Sequence, residues 1–433
     1  MKVVIMAGGK GTRIASINSD VPKPMIPIAG KPILEWQIEN LKACGLTNII
    51  FVIGHLGHVI QDYFGNGSKF GVRIDYFVEE FPLGTAGALF KMDLKEDFLL
   101  MCGDIILDVN FNRFIKFHQE HKAWASLMTH PNSHPYDSSL IDTEILPPQE
   151  IGGLPVDTYR VVHWMNKEEN RHYYKNRVNA GVEIISPGLL KETMINYSPR
   201  HLESPDKIDL DRDVLKPHVI SGRIFAYDTP EYIKDMGTPD RLAEVEEDIL
   251  KGSVNARNLK NKQRAVFLDR DGTINKYVGF LTKPDQLELI EGVAESIKMI
   301  NKSGFLTIVV TNQPVIARGD CTWGELQTIH EKMETELGNA GAYVDSIYIC
   351  PHHPDHGFDG ERPEYKHRCE CRKPESGLLL KAAVDYNIDL SKSIMIGDSD
   401  RDVEAGEKAG CYQSFKIETN MPGEIGKVLN CIL

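Results

Sequence analysis

Short apolar runs alternate with longer amphipathic stretches along almost the whole chain. Lys2–Met6, Asn48–Ile53, 74–78 and 98–101 read as strands, while Ile33–Ala43, a stretch ending at 60–64, and 85–92 repeat their apolar residues at helical spacing. The pattern then breaks. Residues 241–250 are charged and helical, Lys251-Gly252-Ser253-Val254-Asn255 interrupts them, and 257–264 is basic and polar. It restarts with strands at Ala265–Leu268, 306–310, Ser346–Cys350 and 393–396, and helices at 292–303, 322–340 and 377–386. Such alternation predicts an α/β protein of two doubly wound domains, each a mainly parallel sheet covered by helices. The expected boundaries are 1–246 for the first domain, 247–263 for a linker and 264–433 for the second.

On sheets of this kind ligands bind beyond the carboxyl ends of the strands. The polar residues of both halves collect there. In the first half, Lys2–Met6 runs into Ala7-Gly8-Gly9-Lys10-Gly11-Thr12-Arg13. Successive glycines let backbone N–H groups cradle phosphates, and Lys10 and Arg13 add positive charge. Prolines on both sides hold Lys23 in an extended segment beside that loop. Glu79 to Gly87 and Asp104 follow two further strands. In the second half, Ala265–Leu268 ends in Asp269-Arg270-Asp271-Gly272-Thr273. Residues i and i+2 of a strand share a face, so Asp269 and Asp271 can address one pocket. Two close carboxylates suit a Mg²⁺ site with one as nucleophile and the other as acid and base. Thr311, Asn312, Lys373, Asp398 and Asp402 fall at the ends of later strands or near them.

A formal net charge of −13 on 433 residues argues against nucleic acid and membrane surfaces as partners. Any phosphate must therefore be held by local cations and amides. No apolar run is long enough to span a membrane, and residues 1–6 read as a strand rather than a leader, so the expected location is the cytoplasm. The eight cysteines are scattered except for Cys350, Cys369 and Cys371. With His352 these form C-x-H and C-x-C pairs, a donor set suited to a closed tetrahedral Zn²⁺ site that would staple the loop carrying Arg372 and Lys373. His353 and His356 are alternative imidazoles. The stretch 131–156 is rich in Pro, Ser and Asp and reads as an elaborated loop or hairpin over the first active site. The run Arg171 to Arg177 reads either as part of a sugar-phosphate site or as a solvated strand edge.

Taken together, MAGGKGTR, PKP, LGTAGAL, the GD at Asp104, the NAG at Asn179-Ala180-Gly181 and DMGTP at Asp235 to Pro239 resemble the sugar-1-phosphate nucleotidylyltransferases over residues 1 to about 245. The resemblance implies transfer from a nucleoside triphosphate to a sugar 1-phosphate with release of pyrophosphate. It places Gly8, Gly9, Gly11, Thr12, Gly84 and Thr85 on the nucleotide, Arg13 and Lys23 on the phosphates, Asp104 and Asp235 on Mg²⁺, and Asn179 and Gly181 on the sugar. Glu80 is the candidate base reader. A carboxylate can accept from both N1–H and the exocyclic amine of guanine, which points to GTP. Where the family usually carries E-K-P, this chain has Met165-Asn166-Lys167, leaving Lys167 as the substitute.

From about 264 onward, DxDGT, TNQ, RKP and GDSDRD resemble the haloacid dehalogenase phosphatases. With IARG and the C-x-H and C-x-C loop they resemble the heptose 1,7-bisphosphate 7-phosphatases, although Pro314 and Val315 replace the usual Ser and Gly. Histidinol-phosphate phosphatases share much of this pattern. The resemblance implies Asp269 as nucleophile and Asp271 as acid and base. It also implies Mg²⁺ on Asp269, Asp271 and Asp398, and phosphoryl contacts from Thr311, Asn312, Arg372 and Lys373. The two halves then form a sequence of reactions. The second would turn D-glycero-α-D-manno-heptose 1,7-bisphosphate into the 1-phosphate, and the first would add GMP from GTP to give GDP-heptose. Another triphosphate, or one half acting as a non-catalytic sugar-nucleotide sensor, remains an alternative. A homo-oligomer is compatible with this reading.

Overall fold

The computed structural model describes residues 1–9, 21–146, 148, 153–196 and 206–432. The chain forms two compact units: residues 1–129, 159–164 and 179–258 in one, and 130–158, 165–178 and 259–433 in the other. Among the described residues no helix is long and apolar enough to cross a membrane.

In the first unit the strand order is Arg73–Val78, Asn48–Ile53, Lys2–Met6, Phe98–Cys102, Val178–Ile185, Ala125–His130, Ile224–Asp228 and Val156–Met165. The first four are parallel, with Val4 beside Ile50 and Leu100. Val178–Ile185 then runs antiparallel, Val182 facing Met101. The sheet is thus mixed rather than mainly parallel. Its central strands are apolar on both faces because helices cover them, and Val3, Val4, Ile5, Leu99 and Leu100 are all buried. Tyr232–Asp235 pairs antiparallel with Ile105–Asp108, placing Asp235 opposite Ile105.

The stretch 85–92 is not the expected helix but a 3₁₀ turn, Gly87–Lys91. The cause is tertiary. The backbone of 206–208 lies against it, with Ala86 N–H donating to Ile208 O (3.0 Å) and Ile208 N–H to Leu83 O (2.9 Å). Gly84 has φ +83°, and a Cβ there would sit 2.4 Å from Ile208 O. The expected linker is also structured. Pro239–Leu250 and Ser253–Ala256 are helices, Arg257, Asn258 and Leu259 are buried, and Asn258 Nδ2 donates to Asp108 Oδ1 at 2.6 Å.

The second unit holds a five-stranded parallel sheet, ordered Ser346–Cys350, Leu306–Asn312, Ala265–Leu268, Ile394–Gly397 and Gln413–Lys416. Its central strand is the one that ends at Asp269. Val293–Lys302, Trp323–Asn339, Gly377–Asp385, Asp400–Ala409 and Glu424–Asn430 are its main helices. Thr322 and Glu325 form a capping box at the start of the longest.

Residues 130–158 and 165–178 group with this unit. Arg177 is buried against helix Trp323–Asn339, with Nη1 3.2 Å from Glu334 Oε1 and Nη2 donating to Asp345 O at 3.1 Å. Tyr174 N–H donates to Thr335 Oγ1 at 3.0 Å. Arg171 donates to the carbonyls of Asn166, Pro135, Ser138 and Met165. Arg171, Tyr174 and Arg177 of this run therefore staple the unit together, while His172 is exposed.

Candidate functional sites

In the first unit the carboxyl ends of Lys2–Met6 and Phe98–Cys102 lie side by side, Gly103 N–H donating to Met6 O at 2.9 Å. Lys23 Nζ is ion-paired with Asp104 Oδ2. Lys23 opens a 3₁₀ turn rather than an extended segment, since Met25 N–H reaches Pro22 O at 2.8 Å. The turn that carries Asp104 is held from below by Gln37. This side chain lies on helix Ile33–Ala43, is wholly buried, and donates to Cys102 O (2.9 Å) and Ile105 O (2.8 Å). Sequence reasoning missed Gln37. A lone Gln in the apolar stripe of a helix was the signal, because a buried amide must find partners.

Asp235 is engaged by Arg241 Nη1 at 2.6 and 2.5 Å and accepts from Gly237 N–H at 2.9 Å. Glu80 is exposed. Its neighbour Glu79 is the one turned toward the glycine turn, its Oε2 2.8 Å from where a Gly8 Cβ would stand. Burial raises the Glu79 carboxyl, against the Leu83 N–H that donates to it. Asn179 Nδ2 reaches the buried Glu183 Oε1 at 3.4 Å, and Gly181 lies over Cys102 Sγ. Burial, then Asp211 nearby, push Glu183 up to about 8, against the Asn179 amide. Thr85 Oγ1 accepts from Leu210 N–H at 2.7 Å, so Gly84 and Thr85 also serve the chain's own packing. Lys167 is in an exposed turn that groups with the second unit, while Asn179 groups with the first. Gly9 borders an open space. Lys10, Gly11, Thr12 and Arg13 lie outside the described residues.

In the second unit Asp269, Asp398 and Asp402 place one oxygen each within 4.8 Å of the others. Lys373, almost wholly buried, bridges two of them, with Nζ 2.7 Å from Asp269 Oδ1 and 2.6 Å from Asp402 Oδ1. Burial raises the Asp269 and Asp398 carboxyls, and Lys373 opposes the rise. Three close acids with one lysine keep excess negative charge, which fits a divalent cation held by oxygen. Asp398 can sit there because residue 272 is Gly, at φ +85°; a Cβ would lie 2.2 Å from Asp398 Oδ2. Asp402 is both support and helix start, since its Oδ2 accepts from Ser399 N–H at 3.0 Å.

The Asp271 carboxylate is not among the three. It accepts from Arg270 Nη2 (2.8 Å to each oxygen), Asn275 Nδ2 (3.0 Å) and Gln313 Nε2 (2.8 Å). Burial alone would raise it, but these donors hold it below the ordinary aspartate value. Gln313 Nε2 also donates to Thr311 Oγ1 at 2.8 Å. Asn312 turns its side chain to the backbone of Lys373. Its amide clamps the Lys373 backbone, giving to Lys373 O (2.9 Å) and taking from Lys373 N–H (3.0 Å). Arg372 Nη1 donates to His352 O at 2.9 Å.

Cys350, His352, Cys369 and Cys371 converge, with Sγ–Sγ and Sγ–Nδ1 separations of 3.2–3.6 Å. A tetrahedron built on Zn–S bonds has edges of about 3.7 Å, so the donor set fits a four-coordinate metal. His352 is the imidazole in place. His353 Nδ1 faces Asp355 O and His356 Nδ1 faces Glu361.

The sequence profile of the nucleotidyl transferase family matches residues 2–252, and a HAD-hydrolase-like profile matches 370–415. The D-glycero-beta-D-manno-heptose-1,7-bisphosphate 7-phosphatase of Yersinia pestis is 39% identical over 158 residues, 36% of this chain and 82% of that protein. The protein of the same name from Escherichia coli K12 is 40% identical, over 36% of this chain and 81% of its own. The crystal structure of HddC from Yersinia pseudotuberculosis, complexed with GMP-PN, is 25% identical over 57% of this chain and 99% of that one, with a TM-score of 0.45. The chain therefore belongs to the nucleotidyl transferase family and carries, after that domain, a HAD-like phosphatase of the heptose bisphosphate 7-phosphatase family.

Proposed function

We propose that this protein makes a nucleotide-activated heptose in two steps. The second unit removes the 7-phosphate of a heptose 1,7-bisphosphate, and the first couples the resulting 1-phosphate to GMP from GTP with release of pyrophosphate. The observation that carries the reading is the Asp269–Lys373–Asp402 arrangement at the end of a central parallel strand, in a chain whose relatives are named for that phosphatase reaction.

In the first step Asp269 attacks phosphorus and the P–O bond to the C7 oxygen breaks; Asp271, ionised in the free enzyme, takes up the proton carried by the phosphate monoester and gives it to the departing oxygen. Asp271 then takes a proton from water as water attacks the aspartyl-phosphate and passes it to the departing phosphate, which restores both carboxylates. Lys373 holds the phosphoryl oxygens, aligned by Asn312 through its backbone. Mg²⁺ bound by Asp269 and Asp398, with Asp402 in reach, would neutralise charge on the phosphoryl group. Cys350, His352, Cys369 and Cys371 would hold Zn²⁺, fixing the loop that ends in Lys373.

In the second step the sugar phosphate oxygen displaces pyrophosphate at the α-phosphorus without an enzyme intermediate, so the chain's task is placement and charge neutralisation. Lys23 supplies a cation at the strand end. Asp104 and Asp235 would hold Mg²⁺, which would neutralise charge on the triphosphate. Glu80, the exposed carboxylate after strand Arg73–Val78, remains the candidate reader of guanine, and Glu79, beside Gly8, is a second candidate.

The test is the full-length enzyme with heptose 1,7-bisphosphate in both anomeric forms, Mg²⁺ and a panel of triphosphates. Phosphate should appear first and pyrophosphate second, fastest with GTP. Hydrolysis of histidinol phosphate with the heptose untouched would overturn the sugar, and a preference for dTTP or CTP would overturn the base.

A further inference from the structure

Arg270 stands between the two aspartates of the motif, and its side chain is wholly buried. An arginine does not lose its proton inside a protein, so a buried one must be matched by acceptors. Arg270 has two partners. Nε and Nη2 fork onto Asp271, at 3.1 and 2.8 Å from Oδ1. Nη1 lies 3.0 Å from Nε2 of His330, itself buried on helix Trp323–Asn339. Arginine only donates, so Nε2 accepts, and His330 is neutral with its proton on Nδ1.

Neither residue has a part in the reaction as derived above. A pair of apolar side chains would fill the same volume without desolvating a charge. What the polar pair adds is direction. The guanidinium is planar, and its fork reaches both oxygens of Asp271 only in one rotation. Asn275 and Gln313 hold the carboxylate from other sides, but Arg270 has the largest share of its hydrogen bonds. The rotation of Arg270 is in turn set by the acceptor at its far end, which is His330.

We propose that Arg270 and His330 are positioning residues for proton donation: His330 fixes the guanidinium, and the guanidinium aims the Asp271 carboxyl at the oxygen leaving phosphorus. The inference rests on the phosphatase reading above, with Asp271 as the acid.

A residue that acts through the acid is felt only by leaving groups that need a proton. The sugar oxygen leaves as a poor anion and needs one; p-nitrophenolate does not. The value of kcat/KM reports the steps through loss of the leaving group, so it isolates this event from hydrolysis of the aspartyl-phosphate. In the full-length enzyme His330→Leu should lower kcat/KM for the heptose bisphosphate about 10- to 100-fold and that for p-nitrophenyl phosphate less than about threefold. His330→Gln, whose Oε1 can accept where Nε2 does, should recover most of the loss. Should the Leu variant fail to fold, His330→Asn, polar but one methylene short of Arg270, replaces it in the same two assays. An equal fall on both substrates, or no fall on either, overturns the proposal. A wild-type enzyme inert toward both would instead overturn the phosphatase reading beneath it.

Discussion

The two catalytic centres carry similar residues, lysines and aspartates at strand ends, but hold them differently. In the phosphatase unit Lys373 and Asp402 are each only 2% exposed and locked together. In the transferase unit Asp104 is 37% exposed beside Lys23, and Asp235 is 47% exposed beside Arg241. The contrast fits the chemistry proposed for each centre. A side chain that itself attacks phosphorus must be aimed before substrate arrives, and burial with a fixed partner aims it. A direct displacement between two bound substrates needs charges that metal and triphosphate complete, so its acids wait in exposed, exchangeable ion pairs. Such pairs contribute little to stability, about 0–1 kcal/mol each.

The sharpest break of this comparison is Asp269→Asn. Without the nucleophile, phosphate release from heptose 1,7-bisphosphate should fall on the order of 10⁴-fold. Nucleotidyl transfer to heptose 1-phosphate supplied directly should be unchanged. Parallel assays for phosphate and pyrophosphate decide it. Joint loss of both activities would mean that the centres are not separable.

Next is the reverse cut. Lys23→Ala removes a cation from the transferase centre and should lower kcat for pyrophosphate release about 10²- to 10³-fold, the range found for one preorganised stabilising group. Because Lys23 is partly exposed and its ion pair weak, the melting temperature should scarcely move. A large loss of stability would show that the pair is structural after all.

How far the sequence foretold these centres depends on how local each cause is. Asp269, Lys373, Asp398 and Asp402 were legible because apolar runs mark strands and the residues after them mark strand ends. The zinc-type donor set was legible from spacing, although the choice of His352 over His353 and His356 needed the fold. What stayed hidden depends on distant contacts. Gln37 reaches across 65 residues to Cys102. Asn312, expected on the phosphoryl group, instead clamps Lys373. The helix expected over 85–92 gives way because Ile208 takes its backbone hydrogen bonds. Glu79 and Glu80 are equivalent in sequence, and only the direction in which the chain leaves strand Arg73–Val78 tells them apart.

The same lesson applies to residues 130–158 and 165–178, which lie within the transferase sequence but group with the phosphatase unit. Arg177→Leu strips a buried ion-pair partner from Glu334, and breaking a buried pair typically costs up to about 3–5 kcal/mol. The denaturant midpoint of the phosphatase transition should fall accordingly, and Arg177→Leu with Glu334→Leu should recover part of the loss. No change in that midpoint would detach the segment from the unit to which its contacts assign it.

The last expected effect is a slope with pH rather than a loss of activity, and it concerns Glu183, the buried acid behind Asn179. Its carboxyl is raised from 4.5 to about 8 by burial and by Asp211. Between those two values the folded protein keeps a proton that the unfolded chain has lost. Folding therefore takes up protons in this window, and the stability tied to Glu183 is full below pH 4.5 and declines as pH rises to about 8. Glu183→Gln keeps the shape and removes the titration. Relative to wild type, the variant should gain stability steadily from pH 5 to pH 8 and hold that gain above it, read as the difference in melting temperature across the series. A constant offset at every pH would mean that Glu183 titrates alike in both states, and that this acid is as well solvated as the exposed carboxylates of its own catalytic centre.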